Sequence, residues 1–521
     1  MALQNLPIGT QSFENLRSNN YLYVDKTKEI YNLVTTGQIY FLSRPRRFGK
    51  SLLISTIHTL FECQKNLFEG LYICDKWNWD DPHPVVRIDW TQIGHDTPKN
   101  MSRNLFLHLV SIAQNNQIEY INEGAIGLFK ELLEKLHKKT GKKVVVLIDE
   151  YDKPVTGHLN DGKAEEFRTI IHDFYQIIKG SDDHIRFVLL TGVSKFSGMS
   201  VFSALNNLRD ITLDETYSTI CGITQKELEE NFADHIQAVA DKYKRSKEQM
   251  LADIKQWYNG YSWDGETSVY NPFSTLNFLQ EKTFRQYWFN TGTPTFLINI
   301  LKERGLSNFI LEPQIVSDNE LSSGYSIEKL TEIPLLFQTG YLTIKAIEIP
   351  RDEPVYTLET PNLEVRKALM NELIEVYFKN NKINVHDLRR QLETRLRNAD
   401  EAGLQNGIET LLALKPYDVK MNSEAHFHLT MLIWLNLLGF RVLPEKENDR
   451  GRCDLVLEER DFTVVAELEF SEQAIVETLL DEAMTQIDEK KYYNQYLGRV
   501  LKLAIAFTGK ETGCRLVEIE R

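Results

Sequence analysis

The sequence predicts an α/β protein built around a parallel β-sheet. Residues 144–148 are a continuous apolar run and residues 185–190 are apolar apart from Arg186, the pattern of central parallel strands that are buried on both faces. A third apolar run, residues 39–42, is followed by apolar residues at helical spacing between 52 and 61. Strand, loop and helix therefore follow one another, and this arrangement aims a helix N-terminus at an anion.

The loop that follows the apolar run 39–42, residues 44–51, reads Arg-Pro-Arg-Arg-Phe-Gly-Lys-Ser. Its end matches a phosphate-binding loop, in which backbone N–H groups surround phosphates, a lysine reaches the β/γ oxygens and a hydroxyl holds Mg²⁺. The usual opening glycine is absent, because position 44 is arginine. A chance tripeptide in a basic turn is the alternative. The residues predicted to bind nucleotide here are Arg46, Arg47, Phe48, Gly49, Lys50 and Ser51.

The strand predicted at residues 144–149 supplies the other half of a P-loop NTPase core. It ends in Asp149 and Glu150, and the ends of parallel strands are where open α/β sheets bind ligands. We expect Asp149 to hold the Mg²⁺ shell together with Ser51, and Glu150 to polarise the attacking water. A core strand that ends in solvated acids is the alternative. The strand predicted at residues 185–191 ends in Thr191, which is a candidate contact for the γ-phosphate, although threonine also ends strands for structural reasons.

These segments resemble those of the bacterial AAA-ATPase-like proteins that carry a C-terminal PD-(D/E)xK nuclease-like domain. The resemblance accounts for the missing glycine, since the Arg-Pro-Arg-Arg-Phe-Gly-Lys-Ser loop is usual there. It implies an ATP-binding domain that uses Mg²⁺. The matching segments are residues 23–27, 44–51, 147–152, 191–197, 205–208, 210–212, 257–261 and 270–272.

The last hundred residues contain a second group of acids. Glu424 and His428 lie at i and i+4, on one face of a predicted helix. Asp454 and Glu467 lie on two strands of a predicted hairpin, where a PD-(D/E)xK nuclease needs two carboxylates to hold Mg²⁺ against the scissile phosphate. We therefore predict a restriction-endonuclease-like α/β domain with Glu424, Asp454 and Glu467 as metal ligands.

One position departs from the family pattern, because Glu469 stands where the lysine that orients the attacking water is expected. Lys490 or Lys491 resembles the family's Gln-Ile-x-x-Lys-x-Tyr segment and is a candidate migrated lysine. Alternatively, Glu469 is a third metal ligand, or the domain keeps its fold without cleaving. The predicted catalytic residues are Glu150, Asp454, Glu467 and Lys490.

The predicted organisation is a P-loop ATPase domain (1–212), a helical lid (213–300), a mixed and mostly helical connector (301–420) and the nuclease-like domain (421–521). Residues 224–229 predict a capped helix start, and residues 340–344 predict a short β segment. We expect the aromatic residues 257–263 and 287–289 to be packed core. Five scattered cysteines, no signal-like N-terminus and no membrane-length apolar run predict a cytoplasmic protein without membrane contact.

A net charge of −14 argues against a surface that coats nucleic acid, so any DNA contact must be local. Arg209 is a candidate arginine finger in a homo-oligomer, and an ion pair with Asp210 or Asp214 is its alternative. The basic groups that are candidates for DNA contact are Arg44/Arg46/Arg47, Lys242/Lys244/Arg245, Arg441 with Lys446/Arg450/Arg452, and Lys490/Lys491.

Together these patterns predict an ATP-binding and ATP-hydrolysing protein coupled to a Mg²⁺-dependent nuclease-like domain that cuts or grips DNA. Two other classes stay open. One is a nucleotide-dependent signalling or defence switch whose C-terminal domain binds a ligand or partner without cleavage. The other is a ring-shaped DNA-remodelling motor, which the acidic net charge disfavours.

Overall fold

The computed structural model of the chain describes residues 3–158, 162–195, 205, 207–288, 313–322, 332–350, 353–369, 385–413, 424–448, 451–459 and 461–519. The described residues up to Arg366 form one compact unit, and those from Lys367 onwards form a second. Residues 196–204, Asn206, residues 289–312 and Arg450, on which parts of the sequence predictions fall, lie outside the described residues. The boundaries of the four predicted segments stay a prediction.

The first unit is built on a five-stranded parallel sheet with the order β2-β3-β4-β1-β5. β4 lies between β1 and β3, as expected for the NTPase branch with an extra strand between its two motifs. All five residues of β1 and all six of β3 are buried, which confirms the reading of their continuous apolar runs. The strands are β1 (Ile39–Ser43), β2 (Val85–Asp89), β3 (Val144–Asp149), β4 (Ile185–Gly192) and β5 (Arg209–Asp210).

Helices cover this sheet and continue into the lid segment. The predicted helix start at Thr224 is confirmed as a capping box, in which Thr224 Oγ1 accepts from Glu227 N and the Glu227 carboxylate accepts from Thr224 N. The helices are α1 (Phe13–Ser18), α2 (Thr27–Thr36), α3 (Lys50–Phe61), α4 (Pro98–Asn115), α5 (Ala125–Thr140), α6 (Lys153–Thr156), α7 (Ala164–Lys179), α8 (Gln225–Asn231), α9 (Ala233–Tyr243), α10 (Lys247–Tyr258) and α11 (Pro272–Glu281).

Two small sheets complete the first unit. β6 (Ile223–Thr224) pairs with β7 (Val269–Tyr270), and β8 (Gln314–Ser317), β10 (Val355–Glu359) and β9 (Thr343–Glu348) form an antiparallel sheet in that order. The predicted β segment at 340–344 therefore begins three residues late, because Gly340, with φ of 92°, is in a left-handed turn after the helix that precedes it. The described residues of this region also form α12 (Asp318–Ser322) and α13 (Glu332–Thr339).

The second unit is a mixed five-stranded sheet with helices, as predicted for the C-terminal domain. Its order is β11-β12-β13-β14-β15, with β13 and β14 parallel and the other pairs antiparallel. The strands are β11 (Val442–Asn448), β12 (Gly451–Glu458), β13 (Thr463–Phe470), β14 (Val500–Phe507) and β15 (Thr512–Glu518). The helices are α14 (Val385–Arg397), α15 (Glu401–Ala413), α16 (Glu424–Leu437) and α17 (Val476–Lys490).

Two further expectations concern the chain as a whole. All five cysteines are free thiols in the structure. Within the ranges that the structure describes, no helix has both the length and the apolar character that crossing a bilayer requires.

Candidate functional site

The carboxyl ends of the central strands bring the predicted nucleotide residues together. Leu42 of β1 pairs in register with Thr191 of β4, so Thr191 lies beside the start of the phosphate-binding loop, residues 44–51. Thr191 Oγ1 donates a hydrogen bond of 2.6 Å to Asp149 Oδ1. Parallel pairing therefore juxtaposes the loop, the acid and the polar strand end, as the order of motifs predicts.

Asp149 is almost fully buried, with 1% of its surface exposed. Burial raises the pKa of its carboxyl group, and the hydroxyls of Ser51 and Thr191 offset part of this rise. Its Oδ2 has no partner in hydrogen-bonding geometry within the described part of the chain. A buried carboxylate oxygen without a partner, next to a serine hydroxyl, fits the ligand set that Mg²⁺ takes beside a nucleotide.

Lys50, the first residue of α3, is 3% exposed and lies inside the loop. Its Nζ donates to Arg44 O at 3.0 Å and to Pro45 O at 3.3 Å, and it lies 3.3 Å from Glu150 Oε1. Glu150 has a φ of 52°, a left-handed conformation that is uncommon for a residue with a side chain. The Lys50 ammonium group is thus held by three oxygen atoms, two of which belong to the loop backbone.

Arg44 explains how the loop is built without its opening glycine. Its side chain is completely buried and donates to Ser43 O, Thr212 O and Tyr217 O at 2.8, 2.9 and 3.0 Å. The guanidinium also lies 4.0 Å above the ring of Trp263, and burial lowers its pKa to about 10. Arg44 is therefore a structural residue, and its prediction as part of a DNA-contacting patch is wrong, since a buried side chain cannot reach a phosphate backbone.

A cleft of about 340 Å³ opens at these strand ends. We call it the strand-end cleft. The predicted residues among its lining are Arg46, Arg47, Gly49, Lys50, Ser51 and Glu150. Lining residues that the sequence did not predict include Asp89, Thr91, Lys153 and four residues near the start of the chain, Pro7, Gly9, Thr10 and Gln11. Asp89 had a signal, because it ends β2 beside Asp149 in register, but its strand is short and only partly apolar.

A second, smaller cavity of about 100 Å³ adjoins the phosphate-binding loop through Phe48, Gly49 and Leu52. Its lining is mostly apolar and includes residues of the N-terminal region together with Ile223 and Phe232 of the segment predicted as a lid. Phe48 is buried against Tyr261 and Trp263, with ring centroids at 4.7 and 5.4 Å. Tyr261 and Trp263 are packed core, as predicted. Phe48, which the sequence predicts as a nucleotide-binding residue, is buried with them and does not line the strand-end cleft.

Two predicted residues are held differently from their expected roles. Thr191 is fully buried against Asp149 and does not line the strand-end cleft, so in this structure it positions the acid. Arg209 donates to Asp214 Oδ2 at 2.7 Å, which is the ion-pair alternative. Ion pairs also hold two of the basic residues that are candidates for DNA contact. Arg245 pairs with Asp253, and Arg441 pairs with Glu458.

The second site lies on the β12–β13 hairpin. Leu455 and Ala466 are paired across the hairpin, so Asp454 and Glu467 occupy the next position on the two strands. Asp454 Oδ2 accepts from Leu468 N at 2.8 Å and lies 3.5 Å from His428 Nε2. The same nitrogen lies 3.8 Å from Glu424 Oε1 and bonds to Leu468 O. The helix face that carries Glu424 and His428 therefore meets the acids, as predicted.

Glu467 is buried, with 1% of its surface exposed, and its Oε1 has no hydrogen-bond partner within the described ranges. Burial and the neighbouring Asp454 raise its pKa to about 9. Glu469 also has a raised pKa, about 7, because of burial and the charges of Glu424, Asp454 and Glu482. Carboxyl groups this crowded favour either bound protons or a bound cation.

The segment that resembles Gln-Ile-x-x-Lys-x-Tyr reaches this site. Gln486 of α17 and Tyr492 both interact with the Glu467 carboxyl group. Lys490 is the last residue of α17 and follows Gln486 by four residues, hence on the same face of the helix. Among the residues that the structure describes, no three His, Cys, Asp or Glu side chains are grouped closely enough to hold a metal ion. The metal ligands Glu424, Asp454 and Glu467 stay a prediction.

Comparison with known proteins finds a family match near each end of the chain. Residues 7–202 match the model of a predicted AAA-ATPase family, and residues 422–515 match that of the PD-(D/E)XK nuclease superfamily. A protein of Azotobacter chroococcum mcd 1, described as an uncharacterized protein in the vnfD 5' region, is 36% identical over 516 residues, which are 96% of this chain and 95% of that protein. The solved structure of Aeropyrum pernix ORC2 (ADPNP-ADP complexes) matches at 13% identity and a TM-score of 0.25, over 83% of this chain and 86% of that chain, and carries no structural argument.

Proposed function

Because the chain belongs to the AAA-ATPase-like family and carries a C-terminal PD-(D/E)XK nuclease superfamily domain, we propose that it binds and hydrolyses ATP with Mg²⁺ in the strand-end cleft. The observation that carries this proposal is the cluster of Lys50, Ser51, Asp149 and Glu150 at adjoining strand ends. These are the side chains that phosphoryl transfer requires at one place.

The chemistry proposed for the cleft is positioning and charge stabilisation. Backbone N–H groups of the phosphate-binding loop and the N-terminus of α3 face the phosphates, and Lys50 exchanges its carbonyl and carboxylate oxygens for phosphate oxygens. Release of Lys50 also frees Glu150 to orient the attacking water. Ser51 and Asp149 would hold Mg²⁺, which when bound neutralises charge on the phosphate oxygens.

The test is ATP binding and turnover by the full chain and by Lys50→Ala and Glu150→Gln. We expect Lys50→Ala to lose affinity and Glu150→Gln to bind ATP while turnover falls about 100-fold or more, since only the water-activating group is lost. Lys130→Ala, an exposed lysine on α5, is the matched control for Lys50→Ala. Equal turnover by wild type and Glu150→Gln would refute the assignment of Glu150.

For the second unit we propose a Mg²⁺-dependent nuclease that acts on DNA. The supporting observation is that Asp454 and Glu467 face each other at one end of the hairpin, with the Glu467 Oε1 buried and unpartnered within the described ranges. Both carboxylates are the donors that Mg²⁺ prefers, and the bound cation would polarise the scissile phosphate. Lys490, one helical turn beyond Gln486, is proposed to orient the attacking water in place of the residue at 469.

Cleavage of single- and double-stranded DNA with Mg²⁺ or Mn²⁺, with and without ATP, tests this proposal. We expect Asp454→Asn to abolish cleavage and Lys490→Ala to reduce it about 100-fold while DNA binding is retained. Asp461→Asn, which changes an exposed acid that pairs with Arg397 in the same unit, is the matched control and should cleave like wild type. Unchanged cleavage by Asp454→Asn would refute the assignment.

A second function is supported by Glu469. An anion close to Asp454 repels a phosphodiester, so the domain would then recognise a ligand or partner without cleavage, and the chain would act as a nucleotide-dependent switch. That function predicts ATP binding with slow turnover and no metal-dependent cleavage under any of the conditions above. DNA-stimulated turnover by a ring oligomer would instead favour a remodelling motor.

A further inference from the structure

The side chain of Trp288 contacts the phosphate-binding loop from a position far along the chain. Its indole Nε1 donates to the backbone carbonyl of Arg46 at 3.1 Å. The ring is fully buried and lies against Tyr341 at a centroid distance of 5.2 Å. A Cβ added to Gly340 would come within 3.4 Å of this ring and 2.8 Å of Pro45, so the loop, Trp288 and Gly340 are closely packed.

The bond to Arg46 O fixes the orientation of one peptide unit of the loop. In a trans peptide the C=O and the following N–H point in opposite directions, so a carbonyl held by Trp288 directs the N–H of Arg47 away from Trp288. Arg47 has a φ of 68°, in the left-handed region that side-chain-bearing residues seldom adopt. The conformation at this peptide is therefore not favoured by the loop itself, and an outside contact is needed to hold it.

Trp288 is held in turn by a buried carboxyl group. Its backbone N–H donates to Glu364 Oε1 at 2.8 Å, and Glu364 is completely buried. Glu364 Oε2 and the nearby Tyr261 OH have no partner in hydrogen-bonding geometry among the described residues, and the Ser274 hydroxyl is close enough to interact with the Glu364 carboxyl group. Burying such groups costs stability, so packing alone does not explain a carboxyl group at this place.

We propose that Trp288, held by Glu364, is a positioning residue that keeps the Arg46–Arg47 peptide in the orientation that binds phosphate. The inference deepens the proposed ATP site and rests on it. Trp288 itself does not contact the nucleotide. Its role is to hold Arg46 O, so that the N–H of Arg47 is available to a phosphate oxygen. The Trp-Tyr-Asn-Gly-Tyr and Tyr-Asn-Pro motifs, residues 257–261 and 270–272, would then serve the loop by building the surroundings of Glu364.

The test compares the affinity of the full chain for ATP, inorganic tripolyphosphate and adenosine, each measured by competition with a fluorescent ADP analogue. Trp288→Phe removes the N–H donor and keeps an aromatic ring. We expect this variant to bind ATP and tripolyphosphate about tenfold more weakly, the loss typical of one hydrogen bond. Its affinity for adenosine should stay within twofold of wild type. Trp79→Phe is the matched control, because it loses an equivalent indole bond to Cys74 O without touching the loop.

Glu364 provides a second pair of variants should Trp288→Phe fold poorly. Glu364→Ala removes the acceptor of the Trp288 backbone N–H and should lower the affinity for tripolyphosphate in the same way. Glu364→Gln keeps an acceptor and should retain wild-type affinity. Equal binding by wild type and Trp288→Phe, or a matching loss for adenosine, would overturn the positioning role and leave the ATP site intact. A wild-type chain that binds neither ATP nor tripolyphosphate would overturn both proposals.

Discussion

Replacing Glu364 with glutamine should stabilise the protein, and should do so more at high pH than at low pH. Burial raises the pKa of the Glu364 carboxyl group from 4.5 to about 7. The folded state therefore holds a proton that the unfolded chain releases between these two pH values, and stability falls as the pH rises from about 4.5 to about 7. Above pH 7 the full cost of a buried carboxylate is present, about 3 kcal/mol at 1.36 kcal/mol for each pKa unit.

Glutamine removes this cost because it has no charge to bury. Its carbonyl oxygen can still accept from Trp288 N, and its NH₂ group can donate to Ser274 Oγ, which lies beside the carboxyl group. We expect the stabilising effect of Glu364→Gln to be about 1 kcal/mol at pH 5 and about 3 kcal/mol at pH 8. The larger value corresponds to a rise of roughly 5 °C in the unfolding midpoint of a unit of this size.

The assay is thermal unfolding followed by tryptophan fluorescence at pH 5, 6, 7 and 8, with midpoints compared rather than free energies, because two compact units need not unfold together. Glu348→Gln is the matched control, since Glu348 ends β9 and is exposed to solvent. A midpoint difference between Glu364→Gln and wild type that does not grow from pH 5 to pH 8 would refute the reasoning. So would destabilisation at pH 8.

Two other predictions concern the phosphate-binding loop. Arg44→Gly, which introduces the usual opening glycine, should lower stability by roughly 2–4 kcal/mol, measured by thermal unfolding, because three hydrogen bonds from a buried side chain to carbonyl oxygens are lost; a more stable variant would show that the arginine is not a structural residue. Thr191→Val should lower ATP turnover about tenfold and leave ATP affinity within twofold, since only the donor to Asp149 is removed. An affinity loss as large as the turnover loss in a steady-state and binding comparison would contradict this.

The strands and their acids could be predicted because local pattern and topology agree. A continuous apolar run is buried on both faces, and in a parallel sheet such runs end at the same edge, so Asp149, Glu150 and Thr191 had to lie close together. The capped helix start at Thr224 was equally local, since the capping box spans four residues. The Asp454 and Glu467 pair followed from the hairpin register.

The partners of Arg44 and Arg46 could not be predicted, since no local pattern encodes them. Arg44 reads as one more charge in a basic loop, yet its partners Thr212, Tyr217 and Trp263 come from other segments far along the chain. Trp288 likewise reads as one aromatic residue in a packed core. Which carbonyl its N–H reaches depends on tertiary packing, which sequence periodicity does not report.

The acidic residue at 469 changes the electrostatics of the proposed nuclease in a definite direction. A lysine there would balance part of the charge of Asp454 and Glu467, whereas Glu469 adds to it, and the pKa values of Glu467 and Glu469 rise to about 9 and about 7. Crowded carboxyl groups are stabilised either by protons or by a cation, and a divalent cation competes for the same oxygens. The glutamate at 469 therefore makes the site more dependent on a bound cation and on a lysine from another segment. Lys490 lies four residues after Gln486 on the same helix, and this spacing makes it the candidate to supply that positive charge.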